Sequence, residues 1–256
     1  MEYVARHTRL QCTKYREYQN MSLKTAIVTG AGSGIGKATA KLLARNDYYV
    51  ALTGRTESRL RSTADELAGD SLIIPADISR SDQVFSVVEK VMNTWGRVDV
   101  LINNAAAVSL MPIEKITPKH LEDMFAVNAL GPAYAICACW PHFLAQKNGC
   151  VVNVSSMATF DPFPGFFAYA ASKAPLNLLA ASSAKEGARF GIRAFAVAPG
   201  AVETDMLRSI IDKDTLPAEQ TLSPEQVAQV IFACVNGDHD DRSGETIIVS
   251  DNTGRR

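Results

Sequence analysis

An α/β fold built on a doubly wound parallel sheet is what this sequence predicts, and two observations predict it. From residue 24 to residue 249, short runs rich in Val and Ile alternate with helical stretches. Those runs are apolar at consecutive positions, as strands covered on both faces are. Strict alternation of this kind makes neighbouring strands parallel and puts helices on both sides of the sheet.

Strands are expected at 25–29, 49–53, 72–75, 98–103, 150–155, 193–198 and 246–249, with helices near 34–46, 57–68, 81–95, 118–147, 167–189 and 223–236. Two helix starts are marked clearly. Thr117-Pro118 offers a hydroxyl cap followed by proline, and Ser223-Pro224-Glu225-Gln226 adds a capping box,. Neither a repeat nor a linker divides the chain, so residues 23–256 read as a single catalytic domain. Residues 1–22 match nothing that follows and read as an extension or an upstream start, Met21 being a second candidate start. The four basic residues there leave organellar targeting as an alternative to a cytoplasmic location,.

The bulk numbers exclude several classes. A net charge of −1 gives no electrostatic footprint for nucleic acid or an anionic membrane,. No uninterrupted apolar run reaches the eighteen or so residues of a membrane span. Five cysteines without a C-x-x-C pair read as reduced, small apolar residues,. No metal site is expected, because the adjacent run Asp238-His239-Asp240-Asp241 reads as a solvated turn,.

The glycine turn Gly30-Ala31-Gly32-Ser33-Gly34-Ile35-Gly36 lies directly between the first strand and the first helix. In that context exposed backbone N–H groups at a helix start can hold a pyrophosphate. About twenty residues on, an acid would bind the 2′-hydroxyl of NAD. The chain has Thr53-Gly54-Arg55-Thr56 instead. A guanidinium there suits the 2′-phosphate of NADP, so NADP(H) is favoured over NAD(H).

Tyr169 and Lys173 lie four apart on one helix and share a face, with Ser156 thirteen positions before the tyrosine,. A phenol ionises near ~10, too high for acid–base work at neutral pH, and a neighbouring ammonium favours its phenolate. A lysine so placed makes the tyrosine a usable proton donor and acceptor.

Thr29-Gly30 with Gly34 and Gly36, Asn103-Asn104-Ala105, Ser156, Tyr169 and Lys173 together resemble the short-chain dehydrogenase/reductase family. The likeness covers residues 24–249 and is closest to its single-domain branch, including 3-oxoacyl carrier-protein reductases and related ketone reductases. It implies a Rossmann-like sheet of about seven strands. It also implies catalytic roles for Asn128, Ser156, Tyr169 and Lys173, with cofactor contacts at Gly30, Ser33, Gly34, Ile35, Gly36, Asp77, Asn104, Ala105, Pro199, Gly200, Val202 and Thr204. Tyr169 and Lys173 would touch the cofactor as well, as would Arg55. Two departures stand out. Ala106 replaces the usual glycine after Asn103-Asn104-Ala105, and no paired glycine follows the last strand. Ser33 also stands where a second basic residue often marks NADP preference.

By that resemblance, Ser156 and Tyr169 would donate to the carbonyl oxygen as charge develops. Lys173 would lower the tyrosine's pKa and hold the nicotinamide ribose, while Asn128 would hold a water for proton resupply. The segment Met157-Ala158-Thr159-Phe160-Asp161-Pro162-Phe163-Pro164-Gly165-Phe166-Phe167 would wall the substrate, favouring a hydrophobic or acyl carbonyl compound,. Residues 206–222 form a candidate lid. Exposed Leu130 and Ile136 on the long helix would join subunits into a homodimer or homotetramer. The rival readings are an NAD-linked alcohol dehydrogenase on the same residues and a non-catalytic dinucleotide sensor.

Overall fold

The structure, a computed structural model, describes residues 23–250; the extension read at residues 1–22 lies outside them, as do residues 251–256. Seven strands are present: β1 (Lys24–Thr29), β2 (Tyr48–Gly54), β3 (Ser71–Pro75), β4 (Val100–Asn103), β5 (Gly149–Val154), β6 (Ile192–Pro199) and β7 (Thr246–Val249). They pair in parallel in the order β3-β2-β1-β4-β5-β6-β7. The order reverses direction between β1 and β4, which opens a crevice at the carboxyl ends of those two strands. The helices are α1 (Gly34–Ala44), α2 (Glu57–Ala64), α3 (Ser81–Trp95), α4 (Pro118–Phe125), α5 (Gly131–Gln146), α6 (Phe167–Gly187), the short α7 (Asp205–Arg208) and α8 (Pro224–Asn236).

Consecutive strand residues serve opposite faces, which is why the strands read as unbroken apolar runs. Val28, Ile102, Val152 and Phe195 pack with Leu43 of α1, Leu60 of α2 and Ile231 of α8. Their neighbours Ile27, Leu101, Val151 and Ala194 pack on the other side with Val88 and Val91 of α3 and Phe143 of α5. Both faces are therefore covered, and the predicted fold class is the observed one.

β4 begins two residues later than its apolar run suggested. Asp99 lies at its edge, where its main chain still bonds Thr25 O and its carboxylate accepts from Thr25 N at 2.8 Å. Arg97 donates to the same carboxylate at 2.8 Å, so this almost wholly buried charge is paired,. Further along, Asn103 donates to Asn153 across the β4–β5 pair at 2.9 Å. Asn153 in turn donates to Leu176 O of α6 at 3.1 Å, tying that helix to the sheet.

The predicted helix over 118–147 is continuous but not uniform. Residues Ala126–Leu130 form a π-helical turn between α4 and α5. Such an inserted residue leaves main-chain groups without their ordinary i→i−4 partners and is common at functional sites. Taken whole, Pro118–Gln146 is long and apolar enough to cross a membrane, although its sequence shows no uninterrupted apolar run; half of its most apolar window is buried within the protein. That apolarity serves the core, where α5 lies on β4, β5 and α3. Ile136 belongs to this buried side and is only 8% exposed, so it does not present the subunit surface expected of it; Leu130 does, at 47%.

Candidate active site

The crevice at the β1/β4 reversal begins with a stitch between two loops. Thr29 donates from Oγ1 to Ile102 O and accepts from the N–H groups of Asn104 (2.9 Å) and Ala105 (3.0 Å). The side chain of Asn104 donates back to Thr29 O at 2.9 Å. Gly30 then turns with φ of +67°, a conformation open mainly to glycine,. Gly36 has no room for a side chain either, since a methyl would run into the Gly30 carbonyl and Asn104. Gly36 thus lets α1 pack against the turn rather than touching a ligand itself.

Ser33 precedes α1 in extended conformation, and its hydroxyl caps nothing. The first N–H groups of the helix are left to the crevice, together with the positive end of the helix dipole. Gly30, Ser33, Gly34 and Ile35 line the opening, and Thr204 closes on Gly34 from the opposite side. This cradle has the shape and the charge preference that a dinucleotide pyrophosphate requires.

At the adenosine end, Gly54, Arg55 and Asp77 line the same cleft, whose volume is 540 Å³. Burial works to raise the Asp77 carboxyl, but bonds from Ser79 and the nearby charges of Arg55 and Arg80 leave it below its ordinary value. The sequence reading missed Arg59. This residue, third in α2, lines the cleft beside Arg55 and forms a 3.6 Å ion pair with Asp205. Its four-residue spacing from Arg55 is the signal that could have found it. A second basic residue thus stands beside Arg55 on α2, while the glycine turn itself supplies none.

At the other end, Ser156, Tyr169 and Lys173 converge on the cleft with Asn104, Ala105, Pro199, Gly200, Val202 and Thr204. Ser156 ends the β5 loop, and its hydroxyl oxygen accepts from Ala158 N at 3.2 Å. Its proton is directed at the phenol oxygen of Tyr169. Lys173 is 2% exposed and donates from Nζ to Val154 O at 2.7 Å. Burial pushes this ammonium down to about 7. Tyr169 lies above its ordinary value, because burial outweighs the favourable contact with Ser156. The expected lowering of the phenol by Lys173 is not found: the dry surroundings that both groups share disfavour both charged forms. Ser155, also missed, lines this end with a buried hydroxyl that has no hydrogen-bond partner among the described residues.

Asn128 does not line the cleft. It is wholly buried behind it, within the π turn. Its carboxamide oxygen accepts from Ala107 N at 2.8 Å, and its amide donates to Ala107 O and to Ser172 Oγ, each at 2.9 Å. Both amide hydrogens are spent in clamping the loop after β4 to α6, so the side chain could hold a water only through the second lone pair of its oxygen,.

The mouth is apolar and aromatic. Phe163 and Phe166 lie tilted against each other with ring centroids 4.1 Å apart, and Phe166 meets Tyr169 at 5.1 Å, also tilted. Leu207, Ile210, Ile211 and Leu216 from the candidate lid line it from across. Among the described residues no cluster of His, Cys, Asp or Glu could hold a metal ion. The run at 238–241 instead supplies Asp240 as the partner of Arg193.

A glycine turn under a helix start, at the switch point of a parallel sheet, with Ser, Tyr and Lys gathered beside it, defines a dinucleotide-dependent oxidoreductase. The chain belongs to the short-chain dehydrogenase family, whose model matches residues 24–215. An uncharacterized oxidoreductase of Staphylococcus saprophyticus is 32% identical over 237 residues, covering 90% of this chain and 96% of its own. One from Staphylococcus aureus (strain MRSA252) is 31% identical over 218 residues, covering 84% and 93%. Among solved structures, a 3-ketoacyl-(acyl-carrier-protein) reductase from Brucella melitensis complexed with NADH superimposes with a TM-score of 0.83 at 27% identity, over 89% of this chain and 96% of that one. Levodione reductase gives the same TM-score and coverage at 23% identity, a likeness of fold. The cofactor of the family is a nicotinamide dinucleotide, and its substrates are small molecules.

Proposed function

We propose that this protein reduces the carbonyl group of a hydrophobic substrate with NADPH, or oxidises the matching secondary alcohol. The observation that carries this reading is the convergence of Ser156 and Tyr169 on an aromatic cleft whose far end holds Arg55 and Arg59. Paired guanidinium groups suit a doubly charged 2′-phosphate better than a ribose hydroxyl.

The nicotinamide, when bound, supplies or accepts the hydride. The residues of the chain do the rest. Ser156 donates a hydrogen bond to the carbonyl oxygen, and Tyr169 donates a second and then its proton as charge accumulates there. The reverse direction takes the alcohol proton onto Tyr169. Lys173, held by Val154 O, has its ammonium pushed down to about 7 by burial and so can both take and give a proton near that pH. Asn128 acts by position, locking the Ala107 loop and α6 in register. The aromatic rings at the mouth exclude water and favour apolar substrates. A homodimer or homotetramer joined through the exposed side of α5 fits Leu130.

The test is cofactor oxidation measured with NADPH and with NADH over a panel of neutral ketones and oxoacyl thioesters. Higher efficiency with NADPH is expected. Higher efficiency with NADH would overturn the assignment of Arg55, and tight cofactor binding without turnover of any compound would favour a sensor.

A further inference from the structure

The cleft carries one charge that the reduction chemistry does not use. Its charged lining residues among those described are Arg55, Arg59, Asp77, Asp161 and Lys173. The first three belong to the adenosine end, and Lys173 lies buried under Tyr169. Asp161 alone is an acid at the apolar end, on the segment between Ser156 and Tyr169.

Its position is fixed by the backbone. Ser156 starts a 3₁₀ turn over Met157–Thr159, and the N–H of Asp161 bonds back to Met157 O at 3.0 Å. Asn177 of α6 donates to Thr159 Oγ1 at 3.1 Å, anchoring the turn from below. Beyond it, Met111 N bonds Gly165 O at 2.9 Å, so the segment is held at both ends. No ion pair joins Asp161 to a cation among the described residues. Exposed at the mouth, it lines the cleft with Phe163 and Phe166, whose rings tilt against each other.

A carboxylate at the mouth serves no step of the hydride transfer. A substrate carrying its own positive charge would give this exposed acid a partner,. Aromatic faces together with a carboxylate are the combination that recognises an ammonium group.

We infer that Asp161 selects carbonyl substrates bearing a protonated amine, seated between its carboxylate and the rings of Phe163 and Phe166. The same acid turns away oxo acids. This rests on the reading of the cleft as a carbonyl-reduction site.

The experiment compares an N-alkyl piperidone with the cyclohexanone of the same shape, in wild type and Asp161→Asn, by kcat/KM with NADPH. The wild type should favour the cationic ketone by roughly tenfold, the worth of one charge-assisted contact. Asp161→Asn should bring that ratio toward one. Calorimetric binding of both compounds to the cofactor-loaded protein reads the same ratio where neither is reduced. Equal handling of the two by wild type, or equal losses in the variant, would overturn the inference. Failure to reduce the neutral cyclohexanone and the rest of the ketone panel would count against the carbonyl-reductase reading instead.

Discussion

Lys173 and Val154 are joined by a 2.7 Å hydrogen bond in which the amine of the catalytic helix donates to the last carbonyl of β5. The bond fixes α6 against the strand that delivers Ser156, one residue beyond Ser155. It also holds the lysine where burial drives its pKa down to about 7. One contact thus sets the spacing of the site, while burial sets the protonation of its lysine.

That depressed value makes stability depend on pH. Between about 7 and the ordinary lysine value, the unfolded chain holds a proton that the folded one has lost. Stability therefore rises with pH across that window, and the penalty is fully present below 7. Lys173→Met should stabilise the fold by about 2 kcal/mol near pH 6, net of the lost bond to Val154. The gain should shrink toward pH 10. Urea unfolding at several pH values checks this; a gain that grows with pH would contradict the depressed lysine.

Tyr169→Phe removes the proposed proton donor and leaves the ring that packs at a tilt against Phe166. Turnover should fall by about 10²–10⁴-fold while NADPH affinity changes little. Steady-state kinetics paired with fluorescence titration of the cofactor measures both quantities. Near-normal turnover would remove the tyrosine from its assigned role.

Asn128→Ala would strand the half-buried N–H and C=O of Ala107, which have this side chain as partner. A loss of about 2 kcal/mol in stability is expected. Because Ala107 follows the Asn104 stitch, cofactor affinity should weaken with it. Thermal unfolding with and without NADPH separates the two effects. Asn128→Asp should restore less than half, since it keeps the acceptor but lacks the donors to Ala107 O and Ser172.

Arg55→Ala should raise the KM for NADPH by about tenfold and leave that for NADH nearly unchanged, the signature of a lost charged contact to the 2′-phosphate. Arg59→Ala should act in the same direction, more weakly, because Arg59 is shared with Asp205. Loss of NADH affinity in equal measure would assign both residues to the fold rather than to the phosphate.

Much of this was readable before any coordinates. The seven strands, the glycine turn and the Ser156–Tyr169–Lys173 spacing depend on neighbours within a few residues, and short-range sterics decide them. The π turn was not readable, because an inserted helical residue leaves the apolar period nearly intact. Ile136 was misjudged for a similar reason: on a helix apolar all round, period alone does not say which side meets the sheet.

The sequence by itself determined the order of elements, the place of the glycine turn and the spacing of Ser156, Tyr169 and Lys173, since each is written in residue types at fixed local spacing. Only the tertiary structure decided three other things. Arg59 joins Arg55, the Asn128 side chain is spent on Ala107 and Ser172, and burial rather than a neighbouring charge governs Tyr169 and Lys173. Each of these depends on what the fold brings together or removes from water. Pair contacts across tens of residues, and the desolvation of a buried charge, exist only once the chain has packed.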